Sequence, residues 1–168
     1  IFEKYYIPWI NTYAKDKSGK FLDFGCGTGN LVVALKNSGY SNSEGCEFAK
    51  DAFPPLEEKR IVCYECKELR GKSKKYKYIS LIDTIEHLRE PREDLRAMWG
   101  SLEEDGILFI ETINIDDFFV KHFHKDKWIG IAPAHTFLWG ITSLQNSLTE
   151  NGFKIIKTKT YKICGSLI

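Results

Sequence analysis

Long apolar runs are absent from this sequence: no window reaches the roughly 20 residues that a membrane-spanning helix needs. A surplus of one charge is absent too. Lys and Arg total 24 against 23 Asp and Glu, a formal net charge of +1, whereas a generic polyanion binder carries a marked basic excess. Nucleic acid is therefore not an expected partner. Repeats and internal linkers are missing. With 168 residues, 43% of them hydrophobic and 28% charged, the chain suits one globular domain over 1–168 and excludes collagen-like, disordered and coiled-coil classes. It starts at Ile1 without an initiating Met, which reads as a fragment, and no signal peptide is visible.

A disulfide framework is not indicated either. Cys26, Cys46, Cys63, Cys66 and Cys164 are odd in number and scattered, which fits a reducing, cytoplasmic compartment. Cys63 and Cys66 form a lone C-x-x-C. Zinc would need a second ligand pair at suitable spacing, and the sequence has none. Redox chemistry would want the pair at a helix start, but residues 61–64 read as a strand. No metal site is expected.

What the chain does have is alternation. Strand-like runs fall at 20–24, 43–48, 61–65, 78–83, 107–113 and 153–163. Between them lie helical patterns. One follows Gly29 and stops at Gly39. A second, 49–59, is interrupted by Pro54 and Pro55. A third starts at Pro91 and carries an apolar stripe of Leu95, Met98, Trp99 and Leu102. A last helix is opened by a capping box of Thr142 and Gln145. This order predicts an α/β fold with a parallel sheet covered on both faces. Ligands of such sheets bind at the carboxyl ends of the strands, near the switch point.

Those ends hold the informative residues. Asp23-Phe24-Gly25-Cys26-Gly27-Thr28-Gly29 follows a strand and opens a helix, the context in which glycines let backbone approach a ligand. A dinucleotide fingerprint would need glycine at position 30, which is Asn30. The carboxylate of Asp23, two residues before the first glycine, suits a cation better than a phosphate. A helix-capping role for Asp23 is the weaker alternative, because Thr28 lies nearer the helix start. Glu47, ending the second strand, can accept from both hydroxyls of a ribose. Glu65 ends the third strand, and Asp83-Thr84-Ile85-Glu86-His87-Leu88 ends the fourth. Singly, Glu47 and Glu65 could be ordinary solvated carboxylates; successive strand ends are what joins them.

Together these residues resemble the class I S-adenosylmethionine-dependent methyltransferases, in particular the small-molecule branch with ubiquinone-biosynthesis O-methyltransferases and sugar methyltransferases. The resemblance runs over about 21–153. It implies a Rossmann-like, doubly wound, mostly parallel seven-stranded sheet whose last strand is incomplete. It also implies S-adenosylmethionine as cofactor and a small-molecule methyl acceptor. By the same resemblance Asp23, Gly25, Cys26, Gly27, Gly29, Glu47, Phe48, Glu65, Cys66, Asp83 and Thr84 line the cofactor. An insert over 114–140, with Pro133-Ala134-His135 in it, covers the substrate.

The substrate side is then expected to include Tyr5, Trp128, His135 and Trp139, with Tyr6 and Trp9 available for a lid. His135 is the candidate general base, and His87 orients the loop after the fourth strand. The acid beside adenine is usually Asp in this family; here it is Glu65. The N/D-P-P-Y/F segment of base-amine methylation is absent from 83–86. A non-catalytic cofactor-binding module and a nicotinamide-dependent oxidoreductase are the competing readings.

Overall fold

The computed structural model describes residues 1–71, 75–116 and 134–160. Strands β1 (Phe21–Phe24), β2 (Ser43–Glu47), β3 (Cys63–Glu65), β4 (Tyr76–Ile82) and β5 (Leu102–Glu111) form one sheet in the order β3-β2-β1-β4-β5. All four pairings are parallel. Every residue of β1 and β2 is buried, as central parallel strands covered on both faces must be.

The alternation along β1 assigns the two faces. Leu22 and Phe24 join Ile79, Leu81, Leu95 and Met98 in the larger core. Phe21 turns the other way, to Ile10, Leu31, Leu35, Tyr40 and Tyr78. Helices α4 (Pro91–Ser101) and α5 (Ile141–Glu150) therefore cover the first face, and α1 (Ile7–Tyr13) with α2 (Asn30–Asn37) the second. The sheet is doubly wound, and its order reverses between β1 and β4. Among the described residues no helix is long and apolar enough to cross a membrane.

The described residues form five parallel strands, consistent with the doubly wound fold expected with an incomplete last strand. Several sequence expectations are corrected. Residues 153–160 take no strand conformation, and the rest of the expected 153–163 strand lies outside the described residues. Strand β5 begins earlier than its apolar run. Tyr76 pairs with Leu102 and Tyr78 with Ile107, so 103–106 bulge out opposite Lys77. The 49–59 segment is short and broken, as the prolines led one to expect: a 3-10 turn at Lys50–Ala52 precedes α3 (Phe53–Glu58), with Pro54 and Pro55 in its first turn, where a missing N–H costs nothing. Trp99 does not share the buried stripe of α4. Leu95, Met98 and Leu102 are buried, while Trp99 is 51% exposed and packs edge-on to Phe153. Helix α5 is capped by the Ser143 hydroxyl, which accepts from the Gly140 N–H at 3.0 Å; Gln145 instead reaches Thr158.

Trp139 is the largest departure. It was expected against substrate, yet it is 9% exposed within the larger core, and its indole N–H donates to the Ile85 carbonyl at 3.4 Å. It also carries the bridge from the insert's end back to Asn114. Trp139→Ala should therefore lower folding stability by about 3–5 kcal/mol, as large core aromatics do. Urea unfolding followed by circular dichroism would measure it.

Candidate functional site

The loop from β1 into α2 is shaped by close packing. Gly25, at φ +75°, lies against Thr84, whose Cγ2 would come within 2.4 Å of a Cβ there. Thr84 is buried and donates to the Ile82 carbonyl at 2.9 Å. The turn after β4 and the glycine loop thus interlock across the switch point. The N–H groups of Gly25 and Cys26 both donate to the Cys46 carbonyl at 2.9 Å, anchoring the loop to β2. Gly27, at φ +52°, has open space on its Cβ side. Neither Thr28 nor Asp23 caps α2, whose N-terminus carries no side-chain cap.

A cavity of about 220 Å³ opens there, lined by Phe2, Asp23, Gly25, Cys26, Gly27, Thr28, Asn30, Leu31, Ile82 and Asp83. Asp23 is buried and accepts from the Ser80 hydroxyl at 2.8 Å. Burial pushes its carboxyl up to about 7; the Ser80 bond works against this, and the Glu47 charge works with it.

Glu47 is buried at the end of β2. One oxygen accepts from the Gly27 N–H at 2.6 Å; the other accepts from the N–H groups of Phe48 and Ala49 at 2.6 and 2.9 Å. A carboxylate offers about four accepting positions, so roughly one remains for a ligand hydroxyl rather than the two the sequence promised. Phe48 is 49% exposed and edge-on to Phe24.

Beyond β2, Glu65 forms ion pairs with Lys67 at 2.5 Å and Lys50 at 3.8 Å, and the Lys67 hydrogen bond holds its carboxyl below the usual range. It lines a second cavity of about 410 Å³ with Lys50, Phe53, Cys63, Tyr64 and Glu68. Cys66 is buried with its sulfur turned to Cys46, so only its backbone is available to that side.

At the end of β4, Asp83 adopts the left-handed φ of +48° and its N–H donates to the Glu111 carbonyl. Glu111 escaped the sequence reading because it falls mid-run in an apolar strand. Burial, with Asp83 and Glu86 close by, raises its carboxyl to about 8, while the Tyr6 hydroxyl at 3.5 Å lowers it. Glu86 is also buried and accepts from Thr112 at 2.9 Å.

The same turn gathers the insert's end. The Glu86 carbonyl accepts from the N–H groups of Thr136 and Phe137, and His87 Nδ1 lies 3.0 Å from the Ala134 carbonyl. This sets the His87 and His135 rings 4.7 Å apart, edge to face. Glu86, His87 and His135 each offer a ligand atom within 4.8 Å of the others. The donor set is one that a divalent transition metal accepts. No spacing rule pointed to it, because His135 lies 48 residues beyond His87 in the sequence.

The sequence model of a family described as "Methyltransferase domain" matches residues 2–158. The chain belongs to this family. It is a class I S-adenosylmethionine-dependent methyltransferase by family and fold. A mitochondrial ubiquinone biosynthesis O-methyltransferase of Saccharomyces cerevisiae is 33% identical over 129 residues, 68% of this chain and 41% of the yeast protein. The chain thus spans less than half of that relative. A ubiquinone biosynthesis O-methyltransferase of Neisseria meningitidis serogroup C is 24% identical, across 95% of this chain and 78% of that one. A Thermotoga maritima structure described as a SAM-dependent methyltransferase, possible histamine N-methyltransferase, superposes with TM-score 0.67 at 17% identity, covering 92% and 80% of the two chains.

The cofactor of this methyltransferase is S-adenosylmethionine. The residues present suit it: a buried acid for a cationic ligand, an uncapped helix start, and a glycine whose open side a Cβ would fill. One expected substrate residue, Tyr5, and one expected lid residue, Trp9, do not line this cavity. Tyr5 is 60% exposed under Lys4, on the outer side of the N-terminal helical segment, while Phe2 supplies the lining. Trp9 packs edge-on against Phe109 at 5.3 Å instead of forming a lid. Trp128 lies outside the described residues. Gly25→Ala should unlock the loop from Thr84 and weaken S-adenosylhomocysteine binding by at least about tenfold, ~1.4 kcal/mol, measured by calorimetry.

Proposed function

We propose that this chain transfers a methyl group from S-adenosylmethionine to the hydroxyl oxygen of a small-molecule acceptor. One observation carries the reading: a single turn after β4 places Asp83 on the cavity wall and, four residues on, holds His135 beside His87. Cofactor side and acceptor side are thereby joined at the switch point.

In this reading Asp23 provides the counter-charge for a cationic ligand across the cavity. Glu47 accepts from a ribose hydroxyl on its remaining lone pair, Phe48 offers an exposed aromatic face, and Glu65 lies toward the adenine. S-adenosylmethionine supplies an already electrophilic methyl on a sulfonium. The chain's own task is alignment of the acceptor for in-line displacement, and removal of its proton. Proximity and orientation contribute up to about 7–11 kcal/mol in well-aligned cases. His135 takes the hydroxyl proton, and His87 positions the segment that carries it. The yeast and Neisseria relatives, named for an O-methyl transfer, support an oxygen acceptor.

His135→Ala should lower turnover by about 10²–10⁴-fold while leaving cofactor affinity near its starting value. Steady-state kinetics with hydroxylated aromatic acceptors, beside calorimetry with S-adenosylhomocysteine, separate the two. Cofactor binding with no transfer to any acceptor would favour a non-catalytic module.

Asp23 gives a signed pH prediction. In the folded chain its carboxyl keeps its proton to about pH 7, whereas unfolded it loses it near 4. Its contribution to unliganded stability therefore falls as pH rises from about 4 to 7, and is constant above. A cationic ligand favours the ionised form, so affinity for S-adenosylmethionine should rise with pH through about 7 and then level. Asp23→Asn should flatten both profiles, read by titration calorimetry and by unfolding across pH.

A further inference from the structure

The C-x-x-C of the sequence is not a pair in the fold. Its two thiols meet different partners on opposite faces of the sheet. Cys66 Sγ lies 2.7 Å from Cys46 Sγ in the larger core, and Cys63 Sγ lies 3.8 Å from Cys26 Sγ in the small cluster with Val32, Leu56 and Ile61. The pairs differ in access. Cys46 and Cys66 are 0% and 1% exposed. Cys63 is half-buried and lines the second cavity, and Cys26 lines the first. The Cys26–Cys63 pair therefore spans from the glycine loop to the wall expected beside adenine.

A missing side chain makes that reach possible. Gly45 in β2 is the register partner of both Asp23 in β1 and Cys63 in β3. A Cβ at Gly45 would stand 2.5 Å from Cys26 Sγ. The thiol of the loop passes over β2 through the space this glycine leaves open. The Cys26 hydrogen bond lowers the Cys63 thiol, while the same bond and burial raise that of Cys26. One thiol is thus the more acidic and accessible, and the other stands behind it, the arrangement of a redox-sensing cysteine and its resolving partner.

We propose that Cys26 and Cys63 form a reversible disulfide that closes the cofactor site under oxidation. The Cys63 thiolate attacks a peroxide oxygen, breaking the O–O bond and giving a sulfenic acid and, after protonation, water. The Cys26 thiol then attacks that sulfur, its proton leaves with the displaced hydroxyl as a second water, and the S–S bond forms. Two thiols are oxidised and one hydrogen peroxide is reduced. Bonding brings the sulfurs to about 2.05 Å, from the 3.8 Å of the thiol form, and so draws Cys26 toward β3. Cys26 lies next to Gly27, whose N–H holds Glu47. Pulling the loop therefore disturbs Glu47 and the cavity together. That consequence rests on the cofactor placement proposed above.

The test treats the intact chain with hydrogen peroxide. Non-reducing peptide mapping by mass spectrometry identifies the linkage, and calorimetry measures S-adenosylhomocysteine affinity before and after. The expected result is a Cys26–Cys63 cross-link with affinity weakened at least about tenfold, restored by dithiothreitol. By the same coupling, saturating S-adenosylhomocysteine shifts the thiol–disulfide equilibrium of this pair toward the thiols at a fixed glutathione redox ratio. Cys63→Ser should show the same S-adenosylhomocysteine affinity before and after peroxide, whatever its reduced value. Should that variant not fold, the map and titration on the unsubstituted chain decide alone. A cross-link elsewhere, no cross-link, or a Cys26–Cys63 cross-link with unchanged affinity overturns the switch. A reduced chain that does not bind S-adenosylhomocysteine overturns the cofactor reading, and the switch with it. A reduced chain that binds well but yields no Cys26–Cys63 bond overturns the switch alone.

Discussion

A carboxyl group buried in the central strand of a parallel sheet is the constraint around which this structure is organised. Asp23 lies between Gly45 of β2 and Ser80 of β4 and accepts a hydrogen bond from the Ser80 hydroxyl. Burying such a group without a counter-ion is costly, and the chain responds by keeping it protonated well above the ordinary carboxyl range. A group held in that condition gains most from a cation brought to it. The fold therefore carries, in its central strand, a protonated carboxyl that a positively charged ligand would ionise.

The neighbouring parts are built to keep that element in register with its loop. Glu47 ties the end of β2 to the Gly27 amide, the Cys46 carbonyl takes two amides from the loop, and Thr84 occupies the space that only glycine leaves at position 25. Three strand ends thus share one short segment of backbone. A displacement at any of them reaches the others, because close-packed contacts transmit strain instead of absorbing it. The same dependence links any shift of Cys26 to Gly27 and through it to Glu47.

Across the switch point the organisation is different. Glu86 and His87 use backbone and ring to catch residues 134–137, and Trp139 anchors that segment in the core. The segment that carries His135 is thus anchored by a tryptophan buried in the core. At this end of the sheet Glu86 is buried, and burial with Asp83 close by holds the Glu111 carboxyl in its protonated form up to about pH 8.

The sequence by itself determined the alternation of strands and helices, the glycine loop, and the acids that end β2, β3 and β4. These are local signals: period, turn chemistry and position along a run fix them with no knowledge of neighbours. It misjudged Tyr5, Trp99 and Trp139, since an aromatic at helical or aperiodic spacing faces core or solvent according to what packs on it. It could not have found Glu111, the Glu86–His87–His135 grouping, or the re-pairing of Cys63 and Cys66. Those depend on which strands become neighbours, and in a parallel sheet neighbours come from distant parts of the chain. Tertiary structure alone decided how many lone pairs of Glu47 stay open and which thiols meet, because both follow from the register of β2 against β1 and β3.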